Sequence, residues 1–242
     1  MKTSLFLAIV LVSGFSAGTI HGLVNLVVVE PYLDRAISIE NQNRFASGEI
    51  QDTPQFWDEF GKYRTWQKEG SIISGGILGL ATGALFGLVF AYSRNRLPSQ
   101  HTIMKALVLA GIMWLTIFFI PFLKYPANPP TVGDPHTIAF RSLSYIAFIA
   151  LSGLGALGFA ILSKKIQNKK FVIPIGYAIY MSVVFLLMPQ NPDKIITPLD
   201  LINGFRMASV CTMTLYWITN AVILGLLWQK FQPHLETESV FK

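Results

Sequence analysis

Six apolar runs, near 5–29, 72–92, 104–123, 143–162, 171–189 and 207–228, dominate this 242-residue sequence. A helix needs about 20 apolar residues to cross the ~30 Å hydrocarbon core of a bilayer, and each run reaches or approaches that length. Lipid offers the backbone no hydrogen-bond partners, so such runs fold as helices that satisfy their own N–H and C=O groups. With 52% hydrophobic and 13% charged residues, the chain carries about half the charge of a soluble domain. The expected fold is an all-α polytopic membrane protein with about six transmembrane helices, forming one integral membrane domain over 1–242. The first run begins beside Lys2 like a signal peptide. Its apolar character continues through "LVNLVVV", past a normal signal core, so it is read as a span.

Charge placement then addresses orientation. The net charge of +6 comes from short basic clusters beside the spans, which speaks for topology rather than nucleic-acid binding. Six spans put both termini on one side. The two short inter-span loops of that side carry seven basic residues, Arg94, Arg96, Lys105, Lys164, Lys165, Lys169 and Lys170. Short basic loops stay in the cytoplasm. The reading therefore puts both termini in the cytoplasm of a cell-membrane protein, with loops 30–70, 124–142 and 190–206 outside. Eleven of the thirteen acidic residues fall on that outer side, where they would concentrate cations. The only cysteine, Cys211, lies in an apolar run, which excludes an intrachain disulfide or a CxxC site.

Glycine spacing predicts how the first two spans pack. Gly14, Gly18 and Gly22 recur at intervals of four, as do Gly75, Gly79, Gly83 and Gly87. Such series form grooves in which helix backbones approach closely. A second pattern is a repeat. "PANPPTVGDPHTIAFRSLS" (126–144) and "PQNPDKIITPLDLINGFRMAS" (189–209) both follow an apolar run, open with Pro-x-Asn-Pro and reach Phe-Arg at the next run. Asn128 corresponds to Asn191, and Arg141 to Arg206, so spans 3–4 and 5–6 read as repeated helical hairpins. Arg141, Arg206 and Asn191 are expected in a structural clamp, with Asp134 or Asp200 as partners of the arginines. In "DTPQFWDEFGKYRTWQKEG" (52–70), Thr53 and Pro54 suit a helix start, and five aromatic residues share one half of the wheel. That predicts an external interfacial helix on the bilayer surface.

Candidate metal ligands are His21, Glu30, Asp34, Asn128, Asp134 and His136. His21 and Asn25 form a polar stripe inside span 1, where ionisable residues are functional candidates. Glu30 and Asp34 fall one turn apart if Pro31 starts a second helix. Two carboxylates suit a divalent cation, and imidazole shifts the preference toward a transition metal. A straight helix would put Glu30 half a turn and ~13 Å from His21, so a shared site needs a break at Pro31 or partners from other spans. No GxxxxGK[ST] motif occurs, so the chain does not couple ATP itself, and the lack of GxSxG or HExxH weakens hydrolase readings, leaving a membrane enzyme third. The tail "HLETESVFK" reads as a short disordered end.

"PFLKYPANPP", the following "VGDP", the later "FRMAS" with Trp217, and a Gly-rich first span running into "VEPYLDRAISIE" resemble the CbtA family of cobalt transporter membrane subunits. The resemblance spans nearly the whole chain. It implies a non-enzymatic protein that takes up cobalt or another divalent cation as substrate, holds no permanent cofactor, and works with a small CbtB-type membrane subunit. Besides that subunit and the lipid bilayer, a second copy of the chain is an open partner. The alternative function is a non-transporting membrane scaffold or partner subunit.

Overall fold

The structure is a computed structural model describing residues 3–129, 132–166, 169–193 and 197–233. The tail from residue 234, and the parts of the expected loops at 130–131, 167–168 and 194–196, lie outside the described residues. The elements are α1 (Thr3–Val28), α2 (Glu30–Ala46), α3 (Pro54–Ser93), α4 (Thr102–Met113), a π-helical segment (Trp114–Phe119), α5 (Ile120–Lys124), a 3-10 turn (Pro135–Thr137), α6 (Ile138–Leu162), α7 (Lys169–Leu187) and α8 (Leu199–Phe231). No strand occurs among the described residues. Five helical stretches are long and apolar enough to cross a bilayer, and Phe171–Leu187 is a shorter sixth. The protein is an all-α, multi-pass membrane protein. The chain read above as one domain divides into two compact units, one reaching Gly111 and resuming at Met207, the other Ile112–Arg206.

In the first unit, α1 and α3 lie antiparallel with their backbones in contact. A Cβ on Gly79 would meet Gly18 Cα at 2.8 Å, and one on Gly75 would meet the Gly18 carbonyl oxygen at 2.6 Å. Only glycine fits such spacing. α8 closes the unit: Trp228 packs edge-on against Phe6 (5.9 Å) and Phe90 (5.1 Å), and Phe86 meets Trp217 at 6.0 Å. Phe86, Phe90, Ala221 and Leu224 are completely buried as a result.

Pro31 does start a new helix: α2 opens at Glu30 with that proline in its first turn. Gly48, at φ +74°, then reverses the chain toward α3. Thr53 Oγ1 caps α3 by accepting from Phe56 N–H at 3.2 Å. Here the expectation of an interfacial helix is corrected. Residues 54–70 are the first part of one 40-residue helix, about 60 Å long and twice the hydrocarbon thickness. Its aromatic side chains are partly engaged by α2, with Phe45 against Phe56 (5.2 Å) and Trp57 (5.8 Å). The α2–α3 hairpin thus prolongs the α1–α3 pair beyond its apolar part.

The second unit is held by α6 and α7 around Phe148, Met181 and Val184. The π-helical turn ends just ahead of Pro121, with Ile120 N–H reaching back five residues to Leu115. A widened turn relieves the clash of a proline ring with the preceding turn. Ser152 Oγ donates to the Thr116 carbonyl and meets Tyr177 Oη at 2.7 Å, tying α6 to the π segment and α7.

Replacing Gly79 with alanine drives a methyl group into the α1 backbone and should cost about 1–3 kcal/mol. Gly158, in α6, has nothing within 4 Å of an added Cβ. Gly158→Ala should be neutral or stabilise by up to about 1 kcal/mol. Thermal unfolding of the purified variants in detergent measures both, and equal melting temperatures would disprove a close α1–α3 contact.

Candidate functional site

Two polar assemblies lie in the first unit. The outer one joins α2 to α3. Glu30 and Asp34, one turn apart, face Arg64 and Lys68, also one turn apart. Arg64 Nη2 donates to Glu30 Oε1 and, at 2.9 Å, to Asp34 Oδ1, while Lys68 Nζ donates to Asp34 Oδ2 at 2.9 Å. The Glu30 and Arg64 side chains are only 11% and 12% exposed, so this is a nearly buried pair. Burial pushes the Asp34 carboxyl up. The hydrogen bonds and charges of Lys68 and Arg64 outweigh that and hold it below its ordinary value. The two candidate carboxylates are therefore brought together, and each is already neutralised by a cation.

The inner assembly surrounds His21, buried in α1. Its Nδ1 stands 3.2 Å from the Thr212 carbonyl oxygen of α8, so Nδ1 carries the proton and donates it there. Nε2 then presents a lone pair, and the Asn25 amide nitrogen lies 3.1 Å from it. The Tyr216 ring packs edge-on to the imidazole at 5.7 Å, and its hydroxyl pairs with Thr82 Oγ1 of α3. One turn further along α8, Asn220 is fully buried with neither amide atom hydrogen-bonded. Unpaired buried amides are costly and rare, which sets this position apart from ordinary core.

The second unit contains the two Pro-x-Asn-Pro loops and a crossed pair of arginine contacts. Arg206, from the start of α8, donates to Asn128 Oδ1 (2.8 Å) and to the Ala127 carbonyl (3.3 Å). Arg141, in α6, pairs with Asp193 of the other loop at 2.9 Å, and Thr137 Oγ1 donates to the same carboxylate at 2.8 Å. Each arginine thus reaches the Pro-x-Asn-Pro loop that precedes the other's helix. The expected partners are corrected accordingly. Asp134 gives Arg141 its main-chain carbonyl (3.3 Å), and its carboxylate caps the 3-10 turn by accepting from His136 N–H. Arg206 takes Asn128 and the Ala127 carbonyl, because the first loop passes directly beside it. Asn191 turns onto its own loop, accepting from Asp193 N–H at 3.1 Å. Gly133, at φ +111°, lies against the Arg141–Asp193 pair and has no room for a side chain. His136 is exposed on the 3-10 turn.

His21, Glu30 and Asp34 thus belong to the first unit, and Asn128, Asp134 and His136 to the second. Among the described residues, no three His, Cys, Asp or Glu side chains converge as a metal-binding group. Sequence reasoning overlooked Arg64 and Lys68, although their i, i+4 spacing mirrors that of Glu30 and Asp34. It also overlooked Asp193 and Asn220.

The family described as "Probable cobalt transporter subunit (CbtA)" matches residues 3–229. The chain belongs to the CbtA family. No curated protein and no solved structure gives a significant match. Within this CbtA chain, both crossed contacts involve sequence by which the family was recognised: Asn128 lies in "PFLKYPANPP", Gly133 in "VGDP" and Arg206 in "FRMAS".

Removing Glu30 leaves a nearly buried Arg64 with Asp34 alone, so Glu30→Ala should cost about 3 kcal/mol. Asp34 is half exposed, and Asp34→Ala should cost less than about 1 kcal/mol. Because the folded-state Asp34 value lies below the unfolded one, its contribution is present at neutral pH. It vanishes as pH falls through the depressed value. Melting temperatures of both variants across pH 3–7 check this; a larger loss in Asp34→Ala would reverse the assignment.

Proposed function

We propose that this chain is a membrane-embedded subunit through which cobalt, as a divalent cation, enters the cell without an ATPase of its own. The family match over residues 3–229 carries the reading. Buried His21 with its half-buried partner Asn25, and the unpaired Asn220 amide, support it, since they supply nitrogen and oxygen donors inside a membrane-spanning bundle. Inward movement of two charges down the membrane potential yields about 4.6 kcal/mol per 100 mV. The word "subunit" in the family description points to a partner, which we assign to a small CbtB-type membrane protein. The second reading, a non-transporting partner subunit, draws on the neutralised Glu30–Asp34 carboxylates and the tight glycine seam between α1 and α3.

Cobalt, nickel and zinc accumulation in cells with and without the protein separates the two. The expected result is protein-dependent cobalt accumulation that collapses when the membrane potential is dissipated. Unchanged accumulation of all three metals, with the protein present in the membrane, would leave the scaffold reading.

Orientation follows from the basic short loops, with both termini cytoplasmic. In a Cys211→Ala background, a cysteine at Ser47 should react with an impermeant maleimide added outside, and one at Gln100 should stay protected. The opposite labelling pattern would invert the topology and, with it, the face from which cobalt arrives.

A further inference from the structure

We infer that His21 and Asn25 form a two-donor binding site for a divalent first-row transition metal inside the first unit, deepening the transport reading on which it rests. Three observations converge on it. First, His21 Nδ1–H is held by the Thr212 carbonyl at 3.2 Å, a main-chain contact that fixes ring orientation and leaves Nε2 as the free base. Metal-binding histidines are typically oriented in this way, by donating the second nitrogen to a carbonyl or carboxylate. Second, the Asn25 amide stands 3.1 Å from Nε2. Two donors each about 2.1 Å from one octahedral ion stand about 3.0 Å apart at right angles. The separation already fits adjacent ligand positions.

Third, Asn25 Oδ1 is buried and unpaired, although its amide nitrogen is engaged. A half-turn about the terminal torsion exchanges the two atoms and brings Oδ1 beside Nε2. Two lone-pair acceptors at that distance repel one another unless a cation lies between them. The pair is therefore a hydrogen bond without metal and a chelate with it, once the amide has turned over and both donors have tilted toward one ion.

The rest of the pocket favours passage over permanent capture. Both donors are neutral, so the site binds a cation without the strong electrostatic hold of a carboxylate. Thr212, Tyr216 and Asn220 recur every four residues along α8 and share one face of that helix. Asn220, fully buried with both amide atoms unpaired, supplies the next oxygen on that face. Imidazole with amide oxygen suits cobalt, nickel or zinc and is a poor match for magnesium or calcium.

The test uses cobalt(II) chloride as the probe, with the full-length protein purified in detergent. Equilibrium dialysis gives the affinity, and cobalt-edge X-ray absorption reports imidazole ligation. The wild type should bind one cobalt(II) with an imidazole scattering signature. His21→Ala and Asn25→Leu should each weaken binding at least tenfold and, for His21→Ala, remove that signature. Asn25→Asp, which adds a charged oxygen at the same place, should tighten binding about tenfold. Monodispersity on size exclusion establishes that each variant is folded, and the Asn25→Asp gain does not depend on a loss. Unaltered affinity in folded His21→Ala and Asn25→Asp, or a wild-type spectrum lacking imidazole, would overturn the site. Protein-dependent cobalt accumulation that persists in His21→Ala cells would also refute it, while leaving the transport reading intact. Cobalt bound at His21 without any accumulation would fault transport alone.

Discussion

Backbone contact between α1 and α3 sets the register on which the first unit depends. The glycines place Gly18 against Gly75 and Gly79, and Gly22 against Ile72. The same antiparallel count brings Glu30, at the start of α2, to Arg64, whereas Phe45, after the break at Pro31, meets Phe56 and Trp57 in a shifted register. A one-residue slip would separate the glycines and misalign the ion pairs together. Apolar packing cannot set this register in lipid, because lipid tails compete equally for apolar side chains. Close backbone approach and paired charge can, and this hairpin uses the first within its apolar length and the second beyond it.

The second unit solves a different problem, that of holding proline-broken segments which cannot bond to themselves as a helix would. Pro-x-Asn-Pro loops have few main-chain donors, and their carbonyls need partners. Arginine suits that demand: its guanidinium carries five donors in a fixed fork and reaches a carbonyl and a side-chain oxygen together. Arg206 does so with Ala127 and Asn128. The contacts are crossed, so each loop draws on an arginine from beyond its own segment. Lys124 on the Phe185 carbonyl (2.8 Å) and Tyr125 on the Pro189 carbonyl (2.6 Å) add to the same exchange. If the two loops were separate, Arg206 would lose Asn128 and Arg141 would lose Asp193, keeping only Thr137 and the Asp134 carbonyl of its own segment.

What the sequence made legible depended on the range of the signal. The apolar runs, the capped start at Thr53 and Pro54, the new helix at Pro31 and the glycine series are local or periodic, and each corresponds to a feature of the structure. The interfacial helix at 52–70 was misjudged because amphipathicity shows that a helix has an apolar face without showing what covers it. Part of the cover is α2, whose Glu30 and Asp34, candidate metal ligands by sequence, are held by Arg64 and Lys68. The arginine contacts have partners the sequence did not mark, because Arg141 meets Asp193 and Arg206 meets Asn128, at positions that do not correspond in the two loops. Asn220 left no mark: a single amide in an apolar run is conspicuous only once its neighbours are seen to leave it unpaired.

Charge placement separates the two polar assemblies of the first unit in kind. A divalent ion entering hydrocarbon loses much of its hydration, so donors along its way must replace water without binding too tightly to release it. Carboxylates beside His21 would hold the ion strongly, and in its absence they would be costly to keep charged in the bilayer. Imidazole and amide avoid both difficulties, being uncharged when empty and moderate as ligands. The acidic residues instead sit in the first turns of α2, where Arg64 and Lys68 cancel their charge and the ion pairs hold the hairpin together. Strong electrostatics fixes the frame, and the inner assembly keeps uncharged donors, as the proposed passage of an ion would require.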